Sequence, residues 1–246
     1  MKLYFSILSV CSVFIFSCSS DKPAEEKTTV IVDTVRVITT AVESDTFTIG
    51  TIRFELHPSS REQFDSWKMV VNDTSEVVRI NKDAPFVSRF GDSLIFVLAS
   101  GKKAYIVNND HTDGDDYASY SYLNDMKGIN QWLIAGSYYE AWGCLFINKI
   151  NGDTTFLYGT PIVSPDKKYV LTYNMDLYAG FTYNGFELYE MKAGKPVLVE
   201  RKEFSGWGPD EVKWMDDTTL LVKQTIHDID HAGEEQTVYK KMLLIE

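Results

Sequence analysis

Short apolar segments rich in Val, Ile, Phe, Tyr and Thr follow one another along most of the chain, each closed within a few residues by Gly, Asn or Asp. They occupy residues 30–38, 51–56, 94–99, 104–107, 131–135, 145–148, 154–158, 169–173, 186–191, 197–200, 219–223 and 238–245. β-branched and aromatic side chains suit a pleated, half-buried surface, so a chain punctuated this often is built from strands. An all-β fold is expected. Only residues 59–67 offer a helix, where Ser59 and Glu62 have the spacing of a capping box and Phe64 and Trp67 stand one turn apart.

The turns between these segments repeat. Leu145 to Gly152 followed by residues 154–158 matches Leu188 to Gly194 followed by residues 197–200, with the two glycines 42 residues apart. Lys127-Gly128-Ile129-Asn130 precedes one strand and Pro165-Asp166-Lys167-Lys168 another, 38 residues on; Gly91-Asp92 and Asp216-Asp217 extend the series. A unit of turn, strand, loop, strand, hairpin and strand at about 40 residues has the length of a four-stranded propeller blade. Val163-Ser164-Pro165-Asp166-Lys167-Lys168-Tyr169-Val170-Leu171 resembles the SPDG-plus-strand motif of the TolB-type, WD40-like repeats of secreted bacterial proteins, with Lys167 at the position of the glycine. The resemblance extends over residues 85–246 and is best around 161–200. It implies a small or incomplete β-propeller, which at about 40 residues per blade would divide a single domain of residues 29–246 into about five units. A two-sheet β-sandwich shows the same strand density and is the alternative.

The chain opens on a different pattern. Behind Lys2, residues 3–17 are uncharged and apolar, and Ser19, Ser20, Asp21 and Lys22 after Cys18 turn abruptly polar. The run falls short of the ~20 residues that span a bilayer, and has the basic start, apolar middle and small-residue end of a secretory signal. Ile15-Phe16-Ser17-Cys18 resembles a bacterial lipobox, which implies removal of residues 1–17 and lipidation of Cys18. In lipoproteins a Ser after the cysteine, as Ser19 is here, implies passage to the outer membrane. Residues 18–28 are small, charged and contain Pro, as in a flexible tether that holds a domain off the membrane. Of the 3 cysteines, the signal would remove Cys11, leaving Cys18 and Cys144. With Cys18 lipidated, no internal disulfide forms, so the fold must stand on its core in an oxidising compartment. Cys144, in an apolar run without a neighbouring cation, reads as buried and inert.

A net charge of -11 gives no electrostatic footprint for a phosphate backbone, which excludes nucleic acid as an expected partner. No G-x-S-x-G, phosphate loop, dinucleotide fingerprint or paired-cysteine metal site is present in the sequence. Two stretches carry metal-ligand residue types. Asp110, Asp113 and Asp115 lie in an Asp/Asn/Gly loop suited to calcium, although Tyr120 stands where a calcium loop closes on Glu. His227 and His231, four apart, would share a helix face suited to zinc, but Ala232-Gly233 disfavours a helix. Solvated loops explain both, and no cofactor is expected.

Aromatic residues are 13% of the chain. Those in loops 137–142 and 176–184 are not required by a core, and Tyr138, Tyr139, Trp142, Tyr178 and Tyr183 would converge if the loops leave the same end of neighbouring blades. The expected function is thus a lipid-anchored, non-enzymatic envelope module that binds a protein, peptide or glycan. A metal-dependent hydrolase using His227 and His231 is the alternative.

Overall fold

Sixteen strands, two short α-helices and a 3-10 turn are arranged in four antiparallel sheets in a computed structural model that describes residues 45–68, 75–227 and 235–245. The leader, Cys18, the tether and the strand expected at 30–38 lie outside the described residues. In chain order, β1 (Asp45–Ile49) and β2 (Ile52–Pro58) form a hairpin, followed by α1 (Arg61–Ser66) and α2 (Glu76–Asp83). Sheet I is three-stranded: β3 (Val87–Phe90), β4 (Ser93–Val97) and β5 (Lys103–Val107). Sheet II holds β6 (Ala118–Met126), β7 (Gln131–Tyr138), β8 (Ala141–Asn148) and β9 (Thr154–Leu157). Sheet III holds β10 (Thr160–Val163), β11 (Tyr169–Asn174), β12 (Gly185–Lys192) and β13 (Lys195–Glu203). Sheet IV joins β14 (Trp207–Trp214), β15 (Thr219–His227) and β16 (Glu235–Ile245) to β2 and β1.

The sheets pack face to face in chain order, and strand periodicity shows it. Leu94 and Phe96 of sheet I meet Trp132, Ile134, Leu145 and Ile147 of sheet II. The alternate residues Leu133, Cys144 and Phe146 leave the other face of sheet II and meet Val170 and Tyr189 of sheet III. Tyr169, Leu171, Tyr173, Phe186 and Leu188 then leave the far face of sheet III and pack on Phe54, Val212, Leu220, Val222 and Met242 of sheet IV. Residues 143–148 of β8 and all of β11 are therefore buried on both sides. That is why they read as near-continuous apolar runs rather than alternating ones. Among the described residues no buried cluster joins sheet IV to sheet I. The all-β class is as expected, and the described residues make four sheets where length suggested about five, because β1 and β2 extend sheet IV instead of starting a sheet of their own.

The helix expected at 59–67 forms, with its cap one residue later. Ser60 accepts from Gln63 N at 3.2 Å, whereas Ser59 donates from its hydroxyl to the Gln63 side chain at 2.9 Å. Phe64 is buried on sheet IV against Tyr239, with Lys213 Nζ 3.8 Å from its ring centre, while Trp67 is half exposed. Helix α2 was not expected, since Val77 and Val78 point outward and no apolar stripe marks it. It is held by polar bonds together with Ile80, which packs on the core between sheets I and II. Glu76 receives both Arg89 Nε and Nη2 at 2.8 Å and Tyr122 N at 2.7 Å, and Asp83 accepts the Tyr122 hydroxyl at 2.7 Å. Strand β14, whose Trp207-Gly208-Pro209-Asp210 start does not look like a strand, runs along a sheet edge and bulges between Pro209 and Glu211, where a missing amide donor is tolerated.

Candidate functional site

The β7–β8 hairpin, the β9–β10 connection and the β11–β12 loop all turn at one end of sheets II and III. In β7 and β8 the cross-strand partners at this end are Gly136 and Gly143. Two rings lie where their side chains would be. A Cβ on Gly136 would sit 2.5 Å from the Tyr138 hydroxyl, and one on Gly143 would sit 2.5 Å from Phe156 Cζ. On this glycine floor a ribbon of rings crosses the sheets: Tyr120 to Tyr138 at 6.0 Å between centroids, Tyr138 to Phe156 at 5.7 Å, Phe156 to Tyr158 at 4.7 Å, and Tyr158 to Tyr183 at 5.7 Å. All four contacts are edge-to-face, the arrangement the ring quadrupole favours. Burial, reinforced by the Tyr120 hydroxyl, pushes the Tyr138 phenol well above its ordinary value, so the ribbon is neutral there.

The ribbon is pinned in sheet III by a buried carboxylate. Glu187, 1% exposed, receives Arg201 Nε at 3.1 Å and Nη2 at 2.7 Å on one oxygen. Its other oxygen accepts Tyr158 N at 3.1 Å, the Tyr189 hydroxyl at 2.8 Å and the Thr172 hydroxyl at 3.4 Å. The guanidinium thus set in place lies 4.5 Å from the Tyr158 ring and 4.7 Å from the Tyr183 ring. Burial opposes the Arg201 charge, but Glu187 outweighs it and holds the group above its usual value. The Tyr183 hydroxyl donates to Tyr158 O at 2.9 Å. A charge satisfied on every side in this way is a fixed part of the surface rather than a free ligand for an anion.

The neighbouring loop is built around Asp176. Its carboxylate accepts Ala179 N at 3.1 Å, Gly180 N at 2.9 Å, and both Thr182 N and the Thr182 hydroxyl at 2.6 and 3.1 Å. Desolvation would raise this carboxyl, but those donors together hold it below the ordinary aspartate value. The loop so ordered presents Tyr178 and Phe181, 53% and 65% exposed, at the same end of the sheets as Tyr139 and Trp142 of the β7–β8 hairpin, 50% and 43% exposed. Exposed large rings on an internally bonded loop suit stacking or apolar capture, since little side-chain or loop entropy remains to be lost on binding.

Of the residues expected to converge, Tyr138 and Tyr183 enter the ribbon, whereas Tyr139, Trp142 and Tyr178 stand exposed on the two hairpins at the same end. Tyr183 is buried, so it supports the ribbon rather than presenting a face. Phe156 and Tyr158, each 37% exposed, are the links that sequence reasoning missed. Their spacing of two at a strand end, which puts both on one face, was the available sign.

The acidic loop behaves differently. Asp110 approaches His111 and Asp92, with His111 Nδ1 3.5 Å from Asp110 and Nε2 3.6 Å from Asp92, and all three are exposed. Asp113 and Asp115 are exposed and do not join that group. Asn109 ties the loop to itself by donating to Asp116 O at 2.7 Å. His227 ends β15, paired through its backbone with Glu235, and its side chain, like all of His231, lies outside the described residues. Cys144 is buried, which pushes its thiol up to about 12. At neutral pH it holds almost no thiolate.

No protein-family model matches this chain, and no curated protein matches it. Among solved structures it is similar to TolB from Acinetobacter baumannii, at 10% sequence identity and a TM-score of 0.25. The match covers 63% of this chain and 41% of the TolB chain, so this chain spans less than half the length of that structure. A TM-score that low does not establish a shared fold.

Proposed function

We propose that the protein is a lipid-anchored module of the bacterial cell envelope, carried on the outer membrane by Cys18, that binds a protein, peptide or glycan through the aromatic end of sheets II and III. The observation that carries the reading is the ring ribbon on the Gly136–Gly143 floor, flanked by exposed Tyr139, Trp142, Tyr178 and Phe181. Exposed large rings at one end of neighbouring sheets are the kind of surface a partner covers. Four sheets stacked in chain order, with the N-terminal hairpin completing the C-terminal sheet, support a small, open propeller as the architecture. No helix among the described residues is long and apolar enough to cross a membrane. The lipobox-like Cys18 is the feature on which the anchoring rests.

The test uses the full chain. Trp142→Ala with Tyr178→Ala should abolish retention of envelope proteins or peptidoglycan fragments while leaving the melting temperature unchanged, because exposed rings contribute little to folding. Retention equal to that of the unsubstituted protein would dispose of the site. Cys18→Ala should move the protein from the membrane to the soluble fraction; persistent membrane association in that variant overturns the anchor.

A further inference from the structure

The opposite end of sheet II, away from the ring ribbon, carries a cavity of about 550 Å³ between sheets I and II, in the size range of small-molecule sites. Leu98 and Phe86 line it from the side of sheet I, and Trp132, Ile150, Asp125 and Lys149 from the side of sheet II. Trp132 is 2% exposed, whereas Phe86 and Ile150 are each 56% exposed, large apolar groups left facing solvent at an apolar cavity.

The polar part is a single pair of opposite charges. Lys149 Nζ bonds Asp125 Oδ1 and lies 5.5 Å from the Trp132 ring centre. The two side chains are 19% and 16% exposed, so both have given up most of their hydration. The base of Lys149 is pinned from both sheets, since Ala99 N donates to Lys149 O at 2.8 Å and Lys149 N donates to Asn130 O at 3.1 Å. The pair leaves the second Asp125 oxygen and the other ammonium protons without a partner among the described residues. A half-buried ion pair confers little net stability over apolar packing, so its place in an apolar cavity suits recognition better than folding.

We propose that this cavity binds a small zwitterion with an apolar body, the chemistry of a free aromatic or branched-chain amino acid. The ammonium donates to Asp125, the carboxylate accepts from Lys149, and the side chain lies against Phe86 and Ile150, the exposed apolar groups of the lining. A lone anion would meet Lys149 but be repelled by Asp125, and a lone cation the reverse. Only adjacent opposite charges satisfy both without breaking the pair.

Calorimetric titration of the full chain with L-phenylalanine and L-leucine tests this, with phenylpropionate and phenethylamine as the singly charged counterparts and glycine as the zwitterion without a body. One or both apolar amino acids should bind saturably, and each counterpart at least tenfold more weakly. Asp125→Asn should weaken binding at least tenfold, and so should the charge-neutral double variant Asp125→Asn, Lys149→Met. Ala99 is exposed and lines the cavity, so Ala99→Phe should obstruct it and weaken binding at least tenfold with the melting temperature unchanged. Absence of saturable binding by both amino acids overturns the proposal. So does binding that the folded Asp125→Asn or Ala99→Phe variant retains in full, or equal binding of phenylpropionate.

Discussion

Sheets I and II are neighbours built from similar residues, yet they use their faces differently. Sheet II is sandwiched: residues 143–148 of β8 are buried on both sides, with Leu145 and Ile147 toward sheet I and Cys144 and Phe146 toward sheet III. Among the described residues sheet I is covered on one face only. Along β4 buried Leu94 and Phe96 alternate with half-buried Ser93, Ile95 and Val97, and the outer face also carries Phe90, Tyr105 and Val107, 82%, 56% and 55% exposed. The same kind of apolar side chain is thus structural in one sheet and solvent-facing in the next. The neighbour, not the residue type, sets its energetic weight.

Truncating one ring in each sheet breaks that comparison most sharply. Phe146→Ala, which removes a fully buried ring from the seam between sheets II and III, should cost about 3–5 kcal/mol in urea unfolding. Phe90→Ala should stay within about 0.5 kcal/mol of the unsubstituted protein. Similar losses for the two would mean that the outer face of sheet I is covered in solution.

A two-pronged Arg–Glu pair lies on either side of sheet II, Glu187–Arg201 in sheet III and Glu76–Arg89 beside sheet I. Glu187→Gln should cost about 3 kcal/mol, the low end for breaking a buried pair because Arg201 keeps contact with solvent. Glu76→Gln should cost about 1 kcal/mol, since the Glu76 and Arg89 side chains are both partly solvated. Reversal of that order in paired melting curves would show that α2 matters more to stability than the ribbon anchor.

Gly143→Ala sharpens the comparison within sheet II, because its new methyl would meet Phe156 Cζ at 2.5 Å and Leu157 O at 3.0 Å. Overpacking of this kind costs about 1–3 kcal/mol. The Phe156 ring should shift away from Tyr138, visible as changed ring-proton shifts. An unmoved ring would mean the floor is not what seats the ribbon.

The smallest effect is the pH response of the 175–184 loop. The folded Asp176 carboxyl lies below its ordinary value of ~3.9, so the unfolded chain binds the proton more readily. The loop's stability is full above that ordinary value and falls as pH drops through the folded one. Amide exchange at Thr182 and Gly180 should therefore stay slow down to about pH 4 and quicken below it, and Asp176→Asn should remove the acid transition. Unaltered pH behaviour in that variant would detach the loop's order from its carboxylate.

The sequence showed most clearly what was buried on two sides. Residues 145–148 and 169–173 are near-continuous apolar runs, and both became central strands. Edges were harder to see. Strand β6 alternates only over Ser119-Tyr120-Ser121-Tyr122 before a bulge between Tyr122 and Asn124 breaks the period, and β14 starts Trp-Gly-Pro-Asp, without the alternation that marks a half-buried strand. Helix α2 escaped because Glu76 and Asp83 bond to groups far along the chain, and periodicity records only apolar faces. At the ring ribbon, the loop aromatics were visible by their density. Phe156 and Tyr158 were not, because their role depends on a cross-strand pair of glycines in other strands.

The pairing of β2 with β16 sets the order in which this domain can be made. Arg53 lies opposite Ile245 and Pro58 opposite Lys240, contacts that close a loop of nearly the whole domain. Sheets I to III draw all their strands from within residues 87–203 and can assemble as the chain emerges. Among the described residues the β1–β2 hairpin has no strand to join until β16 has been synthesised. Long-range closure of this kind slows folding, so until β16 arrives β2 presents an unpaired edge open to other chains. A chain ending after Glu203 would retain the strands of three sheets and leave that edge permanently unpaired.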